Sequence, residues 1–307
     1  MRNIRRLPLA TMASGMEAAL HLHEIAGQRG SGPTVGISAG IHGDEYVGTQ
    51  MIMDLLAVLT DHEIAGRLLV LPVANPLAFE AIGRQNPVDD INLNRVFPGA
   101  ARGWFSEQLA TVIIREFLEK IDILIDIHAG GLKPTVDYTY IFNHEALSRA
   151  FGTKLLYRPK GGVSLGTIYG GTLSSIALER GIPTATLELG GGIVDQAPYA
   201  ARGAAGLRNM LRVTGTLAGN VTSRADQIEL AEIHIIRPTQ GGFLCSEAPP
   251  LGEPIAAGAV LGRVVSPYSF EELEVIRNPV PDGWMVLAHL TRNVIQPGDY
   301  GYMVGRR

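Results

Sequence analysis

His42 and Glu45 stand three residues apart in the segment Ala39-Gly-Ile-His-Gly-Asp-Glu45. That spacing lets an imidazole and a carboxylate point at one place where a chain leaves a strand and enters a helix. An imidazole nitrogen and a carboxylate oxygen are both good zinc ligands, at ~2.0–2.2 Å. A catalytic zinc also needs a third protein ligand and one position open to water. His128 is the candidate: it closes the apolar run Ile121–Ile127 and is followed by Ala-Gly-Gly. His42, Glu45 and His128 would then form a hydrolase-type shell of two imidazoles and a carboxylate. Asp126, two residues earlier, shares a strand face with His128 and suits a partner that fixes the site. A hydrolytic site needs a base as well. Glu188 interrupts the otherwise apolar stretch TATLELGGG (184–192), and a carboxylate beside the metal can take a proton from water and pass it to a leaving amine. Arg84 and the pair Asn94-Arg95 lie in a loop-like stretch, the usual home of binding residues. The planar fork of arginine matches a carboxylate with two parallel bonds.

The surrounding pattern supplies elements that could hold these groups. Residues 17–26 alternate as a strand does, and 137–143 do the same. Residues 34–40, 67–76, 121–131 and 184–192 read as buried strands. Helical spacing runs from Asp44 to Leu59 (Val47, Met51, Leu55, Val58), from about Ser106 to Glu119, over 172–181 with Gly181 and Pro183 at its end, and near 199–212. Residues 80–100 read as loop. Buried strands alternating with helices predict an α/β fold, a sheet covered on both faces. Ligands in such folds gather beyond the carboxyl ends of strands, and three strand ends (40–45, 128–131, 188–192) carry the candidates. After about Arg224 the texture changes to short β-like runs broken by Gly and Pro, the rhythm of a small β-sandwich or barrel. The division expected is a catalytic domain over 1–225 and a small β-rich domain over 226–307. The glycine spacing of the latter is similar to that of lipoyl or biotinyl carrier modules, but it contains no lysine to carry such a group.

Composition narrows the function further. The 307 residues carry 26 Lys+Arg against 30 Asp+Glu and are 46% hydrophobic, which excludes a disordered chain. A net charge of -4 leaves no electrostatic footprint for nucleic acid. The single cysteine, Cys245, excludes an intramolecular disulfide framework and a Cys-rich zinc module. No apolar run approaches the roughly 18 residues of a membrane span. The first residues, MRNIRRLPLA, have the basic start of a signal peptide, but Thr, Ser, Gly and Glu break the apolar core that should follow. They read as the first strands of the fold, and the protein reads as cytoplasmic. A homo-oligomer stays open.

The segments GIHGDE, NLNRVFPG, DIHAGG and LELGGG, in that order, resemble the succinylglutamate desuccinylase/aspartoacylase family of zinc carboxypeptidase-like enzymes. The resemblance spans about residues 10–305, and its specificity lies in the ordered set. It implies a zinc carboxypeptidase-like mixed sheet flanked by helices, a small C-terminal β-domain, one Zn2+, and hydrolysis of the amide in a small N-acylated amino acid. By motif it implies that His42, Glu45 and His128 are the zinc ligands and Glu188 the general base. It likewise implies that Arg84 polarises the scissile carbonyl and that Asn94 and Arg95 clamp the substrate carboxylate. Many members read Asp-Leu-Asn-Arg where this chain has Asn92. The Asn-Leu-Asn-Arg form looks more like a bacterial N-acyl amino acid deacylase branch, which includes deacetylases of acetylated diamino acids. The end domain would narrow the entrance and exclude long peptides.

Three other functions fit parts of the sequence. Gly36-Ile-Ser38-Ala-Gly40 matches the G-x-S-x-G nucleophile elbow of serine hydrolases, with His289 as the late histidine such a triad needs. A zinc carboxypeptidase acting on short peptides would use the same metal ligands. A non-catalytic binding protein for acyl amino acids would keep the fold, but it would have no use for Glu188. His21, His23, His62, His144, His234 and His289 otherwise read as inert, and Cys245 as a packed thiol.

Overall fold

The computed structural model describes residues 2–160 and 170–307. Its first half contains β1 (Arg2–Thr11), β2 (Glu17–Ala26), β3 (Thr34–Ser38), α1 (Val47–Val58), β4 (Arg67–Leu71), α2 (Pro76–Glu80), α3 (Phe105–Glu116), β5 (Ile123–His128) and β6 (Thr135–Tyr140). There follow α4 (Glu145–Ala150), β7 (Leu155–Tyr157), α5 (Leu173–Glu179), β8 (Thr184–Gly190) and α6 (Ala197–Val213). The remainder is β9 (Ile228–Leu230), β10 (Glu232–Ile236), β11 (Gly242–Ser246), β12 (Pro254–Ile255), β13 (Val260–Val265), β14 (Glu272–Arg277), β15 (Gly283–Ala288), β16 (Asn293–Ile295) and β17 (Tyr302–Arg306).

Strands β4, β3, β5 and β8 lie side by side and parallel at the centre of a mixed sheet. Their apolar residues serve both faces. Val35, Ile37, Ile125 and Ile127 pack with Met51 and Leu55 of α1 and Leu207 and Met210 of α6. Leu69, Leu71 and Leu124 pack on the other side with Leu109 and Ile113 of α3 and Ile176 of α5. This two-sided burial is why these strands read as unbroken apolar runs. The N-terminal basic segment is β1, an edge strand antiparallel to β2. No described helix is long and apolar enough to cross a membrane.

The expected mixed α/β sheet with flanking helices is present, together with a small antiparallel C-terminal sheet. That small sheet, β14-β13-β11-β16, packs Leu244, Leu261, Val264 and Ile276 into a core shared with Ile255, Met285, Tyr302 and Val304 of β12, β15 and β17. The rest of the C-terminal segment extends the large sheet. Strand β15 pairs with β6 through Leu287↔Val136, β17 pairs with β15, and β10 pairs with β17. The helix expected from Asp44 begins at Val47. Asp44 and Glu45 lie in the turn before it, and both line the cavity. Val58, counted in the apolar stripe, is 60% exposed at the helix end.

Candidate active site

The register of the sheet brings distant residues into rows. Ser38 pairs with Asp126, and Asp126 with Thr186. One step along, His128 pairs with Glu188, and Glu188 with Tyr138. Paired residues on neighbouring strands project from the same face, so Asp126, His128, Glu188 and Tyr138 share one surface at the carboxyl end of the parallel strands. The glycine turns beyond β5 and β8 pack backbone to backbone. Gly191 has φ +89, and a Cβ there would stand 2.6 Å from the Gly130 nitrogen. Gly40 (φ +66) turns the chain beyond β3 and delivers His42 and Glu45 above this surface.

The two imidazoles close on one carboxylate. His42 Nδ1 is 2.7 Å from Glu45 Oε1, and His128 Nδ1 is 2.9 Å from Glu45 Oε2. The far nitrogens meet acceptors. The backbone N–H of Asn94 donates to Asn92 Oδ1 (2.9 Å), which orients that amide, and the same oxygen lies 3.1 Å from His42 Nε2. Asp126 Oδ2 lies 3.2 Å from His128 Nε2. Each Nδ1 thus faces Glu45, and a cation bound among them would take the Nδ1 lone pairs and leave each ring proton on Nε2. One ligand atom from each of His42, Glu45 and His128 can be chosen so that all three lie within 4.8 Å of one another, and all three residues are buried. Two nitrogens, one oxygen and an open side toward the cavity form the donor set of a zinc-type hydrolytic site.

Asp126 also accepts from Ser38 Oγ (2.7 Å) and Ser174 Oγ (3.1 Å), which pins the carboxylate that orients His128. Outer partners of this kind are worth ~10–100-fold in metal affinity. Asp126→Asn should weaken metal binding by that factor, measured by chelator competition.

Arg84 donates from Nη1 to Glu45 Oε1 (3.0 Å), and its side chain is half exposed. Asn94 Oδ1 accepts from Leu173 N–H (3.0 Å), which turns Nδ2 toward His128 Nε2 at 3.4 Å. Arg95 Nη1 donates to the Asn94 carbonyl (2.7 Å). All seven candidates (His42, Glu45, Arg84, Asn94, Arg95, His128 and Glu188) line a single cavity of about 570 Å³, large enough for a small-molecule substrate. The sequence pattern does not single out Asn92 or Tyr138 as site side chains. Asn92 marked only a difference in loop charge, and the place of Tyr138 beside Glu188 depends on a strand pairing that alternation alone does not specify.

Electrostatics separates the two carboxylates of the site. Burial opposes ionisation of Glu45, but the two imidazoles outweigh it and hold the carboxyl well below its usual range. Burial also opposes protonation of His128, yet Asp126 and Glu45 raise it well above the ordinary imidazole value. His42 is lowered, chiefly by burial. Glu188 is pushed up to about 8, first by burial; nearby His128 counteracts part of this, while Glu45 adds to it. Burial, then the neighbouring Arg84 charge, lowers Arg95. The Glu188 shift has a consequence for stability. A carboxyl that holds its proton more tightly when folded stabilises the fold below its unfolded value, and that contribution is lost as pH rises toward 8. In metal-free protein, Glu188→Gln should therefore raise the melting temperature relative to wild type at pH 9, with the gap closing by pH 5. Parallel melts at the two pH values check it.

The serine-hydrolase arrangement does not form. Ser38 is fully buried and its Oγ donates to Asp126. His289 is held by the Tyr300 carbonyl (2.9 Å) and the Asn293 side chain (3.1 Å). A strand that reads as an elbow here ends beneath the candidate metal ligands, and its serine serves the carboxylate that orients one of them.

The chain is 29% identical over 250 residues to the N-alpha-acetyl-L-2,4-diaminobutyric acid deacetylase of Halomonas elongata, covering 77% of this chain and 72% of that protein. It superposes on the product-bound structure of the ectoine utilization protein EutE (DoeB) from Ruegeria pomeroyi with a TM-score of 0.86, at 27% identity, covering 100% of this chain and 95% of that one. A succinylglutamate desuccinylase/aspartoacylase from Rhodobacter sphaeroides matches with a TM-score of 0.81 at 25% identity, over 99% and 95% of the two chains. Residues 31–214, more than half of the chain, match the succinylglutamate desuccinylase/aspartoacylase catalytic domain. That span contains every residue of the cluster just described, from His42 to Glu188, and the chain belongs to this family.

Proposed function

We propose that this protein is a zinc-dependent deacylase that hydrolyses the amide bond of a small N-acylated amino acid. The observation that carries the reading is the meeting of His42, Glu45 and His128 beside Glu188 in one substrate-sized cavity. Family membership and the diaminobutyric acid deacetylase relative support an acyl amino acid as substrate. His42, Glu45 and His128 would hold the zinc, which when bound supplies Lewis acidity that makes water nucleophilic near neutral pH.

The rest of the work falls to the chain. Arg95 and the Asn94 amide anchor the carboxylate of the substrate, with the guanidinium supplying charge and the amide direction. Arg84, which lines the cavity and reaches Glu45, hydrogen-bonds the acyl oxygen as negative charge develops there. Glu188, in its ionised form, takes the proton from the attacking water and delivers it to the amine as the C–N bond breaks. The products are a carboxylate and a free amino acid. Asp126 and Asn92 keep the imidazoles oriented throughout.

The test uses protein dialysed against a strong chelator and then restored with zinc, assayed on a panel of N-acyl amino acids and dipeptides. Zinc-restored turnover of the acyl amino acids with poor turnover of the dipeptides supports the proposal. Activity that survives chelation, a preference for dipeptides, or binding without turnover contradicts it. Ser38→Ala is expected to keep chelator-sensitive turnover, since no imidazole meets Ser38 Oγ among the described residues.

A further inference from the structure

The cavity extends well past the candidate metal ligands, and the C-terminal strands build its far wall. Val136 of β6 pairs with Leu287 of β15, Leu287 with Met303 of β17, and Met303 with Ile235 of β10. Successive pairing keeps all four on one face. It is the face of Glu188, because Tyr138, two residues along from Val136, pairs with Glu188. All four line the cavity.

Aromatic rings continue the wall. Tyr140 is 5.2 Å from Tyr138, stacks on Phe142 at 5.3 Å and meets Tyr157 at 5.5 Å between centroids. The Tyr138 and Tyr140 hydroxyls lie 3.1 Å apart and bond to each other, so at this contact the phenols spend polarity on one another. At the rim the charges of Lys133 and Asp299 are joined in an ion pair of 3.0 Å. The cavity therefore has two unlike halves: a polar end at His42, Glu45, His128 and Arg84, and a lobe of rings and aliphatic side chains.

Arg95 relates the lobe to the substrate. It lines the cavity together with Arg84 of the polar end and Tyr140 and Tyr300 of the lobe. Its partner in the proposed carboxylate anchor, Asn94, places Nδ2 3.4 Å from His128 Nε2, so the anchor stands beside the metal ligands and opens on the same cavity as the lobe. An amino acid's side chain branches from the carbon that bears its carboxylate, so with the carboxylate anchored there and the amide at the metal ligands, the lobe is the part of the cavity left for the side chain. We propose that the lobe receives an apolar or aromatic amino-acid side chain, so that the substrates are N-acyl derivatives of hydrophobic amino acids. This rests on the deacylase reading above and gives it a substrate class. A side-chain ammonium, as in a diamino acid, would have to lie along the aliphatic row, near the Arg95 cation and an Asp299 already paired.

The experiment compares kcat/KM of zinc-loaded enzyme for N-acetyl-L-phenylalanine and N-acetyl-L-leucine with N-acetyl-L-diaminobutyrate, N-acetyl-L-aspartate and N-octanoylglycine. The first two should exceed the others by at least about tenfold, the scale of apolar side-chain discrimination in a pocket. Faster diaminobutyrate or aspartate turnover overturns the lobe assignment while leaving the deacylase reading intact. N-octanoylglycine as the best substrate puts the acyl chain in the lobe and overturns the side-chain assignment. No turnover of any compound overturns the deacylase reading and this inference with it. A binding readout is independent of chemistry. In Glu188→Gln, calorimetry should give at least about tenfold tighter binding of N-acetyl-L-phenylalanine than of N-acetylglycine, and equal affinities contradict the proposal. Met303→Lys, at a half-buried position with folding checked by circular dichroism, should cut the phenylalanine-to-aspartate ratio at least about tenfold; an unchanged ratio contradicts it.

Discussion

Glu188→Gln is expected to bind zinc as wild type does and to lose turnover, with kcat falling ~10²–10⁴-fold, the range of a positioned general base. Glu188 stands opposite His128 in the sheet register and lines the cavity. It lies outside the set of three residues that converge as metal ligands. Glutamine keeps its shape and can still hydrogen-bond water, but it cannot accept and release the proton. The loss should therefore fall on kcat far more than on KM. The checks are steady-state kinetics on an N-acyl amino acid together with metal content by elemental analysis. Loss of both metal and activity would make Glu188 a ligand. Undiminished turnover would remove it from the mechanism.

Glu45→Gln should have the opposite signature. Metal content falls to background and kcat/KM drops by ~10³-fold or more, since a Lewis acid worth several kcal/mol is removed. The metal-free fold suffers too. The Glu45 carboxylate accepts from the Ala129 N–H (3.2 Å) and Arg84, and it faces both imidazoles. His128, raised well above the ordinary imidazole value by Asp126 and Glu45 against the cost of burial, would keep only one of its two carboxylates. Breaking a buried pair from one side costs ~3–5 kcal/mol, which urea unfolding of the metal-free variant should reveal. A variant that retains one zinc per chain would show that Glu45 is not a ligand.

The candidate residues of the site stand out in the sequence more plainly than the architecture that gathers them. His42 and Glu45 flag themselves by sitting between a buried strand and a helix. His128 and Glu188 are legible because a polar residue in an apolar strand is conspicuous. The central strands follow from unbroken apolar runs, which a parallel sheet covered on both faces requires. The residues missed are those whose role depends on register or on a single bond. Asn92 looks like a change of loop charge until its oxygen, fixed by the Asn94 N–H, is found against His42. Ser38 looks like a nucleophile until its bond to Asp126 is seen. The C-terminal segment reads as a run of short strands, but that pattern cannot say that Leu287 pairs with Val136, about 150 residues away, and so carries β15, β17 and β10 onto the large sheet. Alternation tells which side chains share a face, not which strand lies alongside, and the apolar lobe depends entirely on the latter.

The most direct measurement is anomalous scattering from a crystal of the zinc-loaded protein, collected above and below the zinc absorption edge. One edge-specific peak is predicted within bonding distance of His42 Nδ1, His128 Nδ1 and a Glu45 oxygen, with Glu188 beside it and uncoordinated. A peak elsewhere, or the three side chains bonded to one another with no peak among them in active protein, would contradict the metal site on which the proposed chemistry rests.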